Sequence, residues 1–205
     1  MSTISNATSN PSDETRMNSI INQFNLIELP KEGGLYQIID RSSIEVSLPH
    51  RMQCDSTLRA QSHIYYMLTR LRPDQPQLSY NYLHSIDDAD DLHILVEGDS
   101  VDYYLFYEDG HVEHKVLGHS YTDGELPLVT TPGTVASKAL KLRSGNHGYA
   151  FIISALAPEW TAERCKIGAG QVFLDKYTGK EEWCTTDFLR ELIGPNWTDD
   201  TAAKS

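Results

Sequence analysis

No run of lysines and arginines occurs anywhere in this 205-residue chain, in which 17 basic residues stand against 29 acidic ones for a formal net charge of -12. Binding a nucleic-acid backbone depends on clustered cations that neutralise phosphates, so nucleic acid is excluded as an expected partner. Also missing is the apolar stretch of about 18 residues that a membrane-spanning helix requires. Residues 1–15, rich in Ser, Thr and Asn, hold no apolar segment of the kind a secretory signal carries. The expectation is a cytoplasmic protein with no membrane partner. Cysteine is scarce: Cys54, Cys165 and Cys184 are odd in number and far apart, without C-x-x-C, which leaves neither a disulfide framework nor a zinc ribbon. Cys54 has His50 and Asp55 near it in sequence, but nothing in the sequence assembles them into a nucleophile. Gly33-Gly34 lacks both G-x-G-x-x-G and a following Lys-Ser/Thr, so it is no phosphate cradle.

Hydrophobic residues at 40% and charged residues at 22% fit one globular domain. Residues 1–15 and 198–205 have too little apolar content to offset ordering entropy and are expected to be disordered tails flanking a single domain over 16–197. From Arg16 the residues Met17, Ile20, Ile21 and Phe24 recur at helical spacing, with Ser12 or Asp13 available as a cap. From Leu35 to Lys166 the texture changes to short runs rich in β-formers: Leu35 to Ile39, Ile44 to Leu48, Ser62 to Thr69, Ser79 to His84, Asp91 to Glu97, Val101 to Tyr107, His111 to Leu117, Leu126 to Thr131, Val135 to Leu142 and Tyr149 to Leu156. Turn residues punctuate them, with Asp109-Gly110 reading as a two-residue hairpin. Thr186 as cap and Gly194-Pro195 as stop bracket a short closing helix over Asp187 to Ile193. This pattern predicts an all-β double-sheet jelly roll with short flanking α-helices and a cavity between its sheets.

One stretch carries the chemistry. Tyr80-Asn-Tyr82-Leu-His84 ends a tyrosine-rich strand, an acidic turn follows, and Asp91-Leu-His93-Ile-Leu-Val-Glu97-Gly98 forms the next. The spacing His84, Asp91, Gly98 resembles the first motif of the cupin superfamily, G-x5-H-x-H-x3-4-E-x6-G, with Ile86 at the second histidine and Asp91 at the glutamate. Gly124 and Pro132-Gly133 loosely match the second motif, G-x5-P-x-G-x2-H-x3-N, with Ser137 where its histidine would fall. Pro30-Lys31-Glu32-Gly33-Gly34-Leu35-Tyr36 is similar to the H-P-E-G-G signature of a branch of small single-domain cupins of unknown function. Arg59-Ala-Gln-Ser62-His-Ile64-Tyr65-Tyr66-Met-Leu68 is similar to that branch's R-x-x-S/T-x-I-Y-Y-x-L strand, and the coverage runs from about Leu26 to about Lys166. The resemblance implies a cupin double-stranded β-helix, and a homodimer, since cupins often pair through sheet edges. It also implies a metal-ligand set from which two members are gone.

A divalent site needs about three or four converging protein ligands. Only His84 and Asp91 remain of the implied set, so no metal cofactor is expected, with His93, Tyr82 or Glu125 as the residues that would have to complete one. His84 is the candidate for proton transfer, because an imidazole titrates near neutral pH, and Asp91 is the carboxylate expected to orient it. Strand alternation sets Tyr80, Tyr82 and His84 on one face and Asp91, His93 and Leu95 on another, which makes Tyr82 the candidate oxygen stabiliser. Tyrosines are dense, and Tyr66, with His93 and Trp160, is expected to bind substrate. Arg59 is the candidate for holding a carboxylate bidentately; the alternative is a structural ion pair with Glu32 or Glu125. Glu32 is expected in a backbone turn, its carboxylate aimed into the fold or the cavity. Asp87 and Asp88 read as a solvated acidic turn.

The function expected from these residues is a small-molecule enzyme working by metal-independent acid/base chemistry as an isomerase, dehydratase or cyclase on a carbonyl or hydroxy metabolite. The resemblance adds polyketide tailoring as a setting. Two other readings stay open: a non-catalytic ligand-binding cupin and a metal-dependent oxygenase.

Overall fold

The computed structural model describes residues 11–47, 57–133 and 135–199. The tail expectations for 1–10 and 200–205, and the group of His50, Cys54 and Asp55, lie outside the described residues. The first helix, α1 (Pro11–Phe24), begins five residues ahead of the expected domain start, with proline in its first turn, where a missing N–H costs nothing. Ser12 and Asp13 therefore fall inside the helix instead of capping it.

Thirteen strands follow among the described residues: β1 (Ile27–Glu28), β2 (Leu35–Arg41), β3 (Glu45–Ser47), β4 (Thr57–Arg59), β5 (Ser62–Thr69), β6 (Tyr80–Ile86), β7 (Asp90–Gly98), β8 (Val101–Tyr107), β9 (Val112–Leu117), β10 (Leu128–Thr131), β11 (Val135–Leu142), β12 (Tyr149–Ala157) and β13 (Cys165–Ile167). Two antiparallel sheets face each other, one in the order β1-β2-β5-β12-β7-β10 and the other β13-β6-β11-β8-β9, with β3 and β4 paired separately. This is the expected jelly roll. Two helices not far from the C-terminus, α2 (Gln171–Tyr177) and α3 (Thr186–Ile193), close the outer face of the second sheet. Sequence patterning missed α2, which is only seven residues long. The cap of α3 is Thr185, whose side chain accepts from the Phe188 N–H at 3.2 Å, not Thr186.

Three apolar layers follow from this arrangement. Met17, Ile20 and Ile21 of α1 press on the outside of the first sheet against Leu35, Met67 and Phe151. Leu83, Phe106 and Ala139 meet Leu174, Leu189 and Leu192 on the outside of the second. Between the sheets, Leu68, Leu95, Val129, Leu140, Leu142 and Ile152 form a solid core at one end. Each such side chain removed from water contributes about 1.5–3 kcal/mol of gross stabilisation.

Two local departures from ideal strands matter. The β8–β9 connection is a three-residue loop, not the expected two-residue hairpin: Tyr107 N–H donates to His111 O at 2.9 Å, and Gly110 takes φ 87° to bring the chain back. In β6, Lys138 pairs with His84 but Leu140 pairs with Asn81, so two steps along β11 match three along β6. The extra residue is a β-bulge at Tyr82-Leu83, and it reverses the in-and-out phase of the strand. No helix among the described residues is long and apolar enough to cross a membrane.

Candidate functional site

Opposite the solid core, the two sheets part around a cavity of about 840 Å³, counting the portion open to solvent. Its apolar wall includes Leu29, Tyr36, Ile38, Ile64 and Leu156, with Trp160 at 40% exposure. Its polar wall is supplied by Glu32, Asn81, His84, Asp91, His93 and Lys138, every one of them buried.

The bulge sets the contribution of β6. Asn81 and His84 both face inward although three residues apart, while Tyr82 and Leu83 both face outward. Tyr82 therefore stands outside the cavity, its ring against Gly194 and stacked parallel on Tyr80 at 5.4 Å, which corrects its expected role as oxygen stabiliser. Its backbone does serve the site. His84 Nδ1 lies 2.8 Å from the Tyr82 carbonyl oxygen, and a carbonyl only accepts, so Nδ1 carries the ring hydrogen. Burial lowers the His84 pKa, against the pull of Glu32 and with the help of Lys138, so the ring is neutral and Nε2 is left as a bare lone pair.

Glu32 reaches the same place from the Gly33-Gly34 turn. Tyr82 N–H donates to the Glu32 carbonyl at 2.6 Å and the Tyr66 hydroxyl to the Gly33 carbonyl at 2.9 Å, tying the turn to both sheets. Gly33 has φ 86°, and a Cβ there would fall 2.5 Å from the Tyr80 carbonyl oxygen, so only glycine lets the turn sit this close. Glu32 is thereby placed at 7% exposure with Oε2 3.8 Å from His84 Nε2, near but beyond hydrogen-bond length. The Cys165 thiol lies 3.5 Å from Glu32 Oε1, and burial and the charge of Glu32 push its pKa up to about 12, keeping it a donor.

Asp91 does not pair with His84 as expected. Its carboxylate is held by Lys138 Nζ, by His93 Nε2 at 3.2 Å and by Ser154 Oγ at 3.0 Å. Burial opposes its ionisation, but His93 and Lys138 outweigh that and hold the carboxyl well below the usual range. Behind it, His93 Nδ1 lies 2.6 Å from the Tyr103 hydroxyl, a phenol that burial keeps protonated. A hydrogen from that phenol to Nδ1 leaves Nε2–H to point at Asp91, so His93 supports Asp91 from the core side. Tyr66, whose pKa burial raises well above the phenol range, also lines the cavity, over His93 at 6.4 Å between ring centres.

Arg59 is a second correction. Its guanidinium is 42% exposed and pairs with Glu45 at 2.9 Å, away from the cavity, and neither Glu32 nor Glu125 is its partner. Glu125 instead binds Ser100 at 2.8 Å and Arg143 at 3.4 Å. The arginine at the cavity is Arg41, 3.4 Å from Glu159, a residue sequence reasoning missed. Lys138 was missed too, although one signal was present: it shares strand parity with the apolar Leu140 and Leu142, which pack in the core. Asp87 is a half-buried member of the acidic turn, its side chain paired with Lys166 at 2.6 Å.

The divalent-ion site that the resemblance implies does not fit these side chains. Ile86 has no donor, and Asp91 is already occupied by an ammonium that would repel a second cation. Among the described residues no three His, Cys, Asp or Glu side chains are grouped to share an ion.

A family model described as Cupin superfamily (DUF985) matches residues 18–168. The uncharacterized protein YML079W of Saccharomyces cerevisiae is 30% identical over 186 residues, covering 87% of this chain and 88% of its own. Protein SO0799 from Shewanella oneidensis is similar in structure with a TM-score of 0.67 at 19% identity, over 87% of this chain and 97% of its own. A hypothetical protein from Leishmania major gives 0.62 at 19% identity, over 74% of this chain and 86% of its own. At such identities the structural likeness speaks for the fold alone.

Proposed function

This chain belongs to the Cupin superfamily (DUF985), and from that premise we propose that it is a small-molecule enzyme that moves protons without a metal ion, as an isomerase, dehydratase or cyclase of a carbonyl or hydroxy metabolite. The observation that carries the proposal is the bare Nε2 of a buried, neutral His84, its tautomer fixed by the Tyr82 carbonyl, in the wall of an organic-sized cavity. His84 takes a proton from carbon. Glu32, 3.8 Å away, stabilises the imidazolium that results. Lys138, pinned on Asp91, offers a fixed positive charge to the oxygen on which negative charge develops. Trp160, Tyr66 and the aliphatic wall enclose the substrate body, and an apolar tailoring substrate of secondary metabolism suits that wall. The proposal includes a homodimer: Ile94, Val96 and Leu128 leave apolar surface exposed on the outer face at the β7–β10 edge, where a second copy would cover it.

Solvent exchange tests the chemistry. In D₂O, a panel of small ketones and aldehydes that bind should lose proton signal at the carbon beside the carbonyl, and His84→Gln should slow that loss by about 10²-fold or more. Equal rates in the two proteins, or no exchange of any bound compound, would sink the proposal.

A further inference from the structure

The Glu32 side chain is nine-tenths buried and lines the cavity, and among the described residues the only hydrogen bond to its carboxylate comes from the weak Cys165 thiol donor. A buried charge so poorly compensated calls for donors from a ligand. Beside it, His84 Nε2 is an acceptor with no hydrogen of its own. The next group along the wall has the opposite polarity. Lys138 is the cross-strand partner of His84, 3% exposed, and an ammonium engaged with Asp91 still has hydrogens to offer. The wall thus presents Glu32 and Lys138 as near neighbours of His84: a hydrogen-bond acceptor, a base and a cationic donor.

Resting on the acid/base reading above, we propose that the substrate is an α-hydroxy ketone or α-hydroxy aldehyde bearing an apolar substituent. Its hydroxyl donates to Glu32, its carbonyl oxygen accepts from Lys138, and the hydrogen on the carbinol carbon faces His84 Nε2. A primary amine in place of the hydroxyl would also satisfy Glu32, but its extra hydrogens would cover the Nε2 lone pair that the chemistry needs. His84 removes the carbon-bound proton, the electron pair of the broken C–H bond forms a C=C bond, and the carbonyl π pair moves onto the oxygen beside Lys138. Return of the proton to the former carbonyl carbon, with transfer of the hydroxyl proton to the neighbouring oxygen, completes an isomerisation that needs no oxidant or reductant. The apolar substituent lies along Leu29, Ile38, Ile64 and Leu156.

The test compares 2-hydroxyacetophenone, 2-methoxyacetophenone and acetophenone by calorimetry and by proton loss in D₂O, with enzyme-free samples as background. The hydroxy compound should bind about tenfold or more tightly than the methoxy compound, as a hydrogen bond to a charged group requires, and should exchange fastest. Glu32→Leu should reduce that preference to within about twofold, and Glu32→Gln, which keeps the shape, should reduce it partly. Equal binding of hydroxy and methoxy compounds by the wild type, or an undiminished preference in folded Glu32→Leu, overturns the substrate class. Exchange of acetophenone as fast as the hydroxy ketone also overturns it while leaving His84 as base. Preferential binding with no exchange overturns the proton-transfer reading instead.

Discussion

The two ends of the space between the sheets are built from the same strands and differ in what those strands carry. Along β7, Leu95 packs in the solid end, while Asp91 and His93, at the same parity, face the hollow. Along β11 the change runs from Leu142 and Leu140 to Lys138, and along β12 from Ala150 and Ile152 to Ser154 and Leu156. Backbone hydrogen bonding continues through both ends. One end spends its inward positions on close packing and the other on charges that must hold one another in place. The solid end is what makes the hollow end tolerable, since buried ion pairs contribute little net stability and are expensive to break.

Substitutions at both ends test that division, beginning with the largest effect. Lys138→Met strands the Asp91 carboxylate and should cost about 3–5 kcal/mol in urea unfolding, whereas adding Asp91→Leu should recover at least half of the loss by turning this end into packed core. A double variant no more stable than the single would show that the pair is not the main electrostatic liability. Leu140→Ala in the solid end should cost about 3 kcal/mol, and Leu156→Ala on the cavity wall about 2 kcal/mol, because a side chain beside open space has fewer contacts to lose. The reverse order would erase the distinction between the two ends. Smallest is a pH effect. Burial lowers the folded His84 pKa below its ordinary 6.5, so as pH falls below about 6.5 the unfolded chain binds a proton that the folded ring resists. Stability should fall through that window and level off once the folded ring protonates; His84→Gln should remove this part of the slope, at most about 1.4 kcal/mol per pH unit.

Much of the fold was legible because alternation and turn residues are local properties. Val101–Tyr107, Ser62–Thr69 and Val135–Leu142 fall where their patterns place them. His84, Asp91 and Glu32 were found by their likeness to family motifs and His93 by strand alternation, and all four line the cavity. Their pairing was not legible, because it depends on which strands are neighbours: β7 and β11 lie in different sheets, yet Asp91 and Lys138 meet across the gap. Tyr82 was misplaced for a different reason. Alternation carries a residue to the correct face only while the strand stays regular, and nothing in Tyr-Asn-Tyr-Leu-His announces the extra residue opposite β11. Arg59 and Arg41 exchange roles on similar grounds, since a positive charge at a strand end reveals nothing of which end borders the cavity.

That one surplus residue in β6 also gives the barrel a discrete lever. Were β6 to run regularly past Asn81 at its present length, Leu83 would take the inward position and His84 would turn outward, so the imidazole reaches the chamber only because of the irregularity. Loss of either Tyr82 or Leu83 would straighten the strand and still leave the imidazole opposite Lys138, with every strand pairing downstream of it intact.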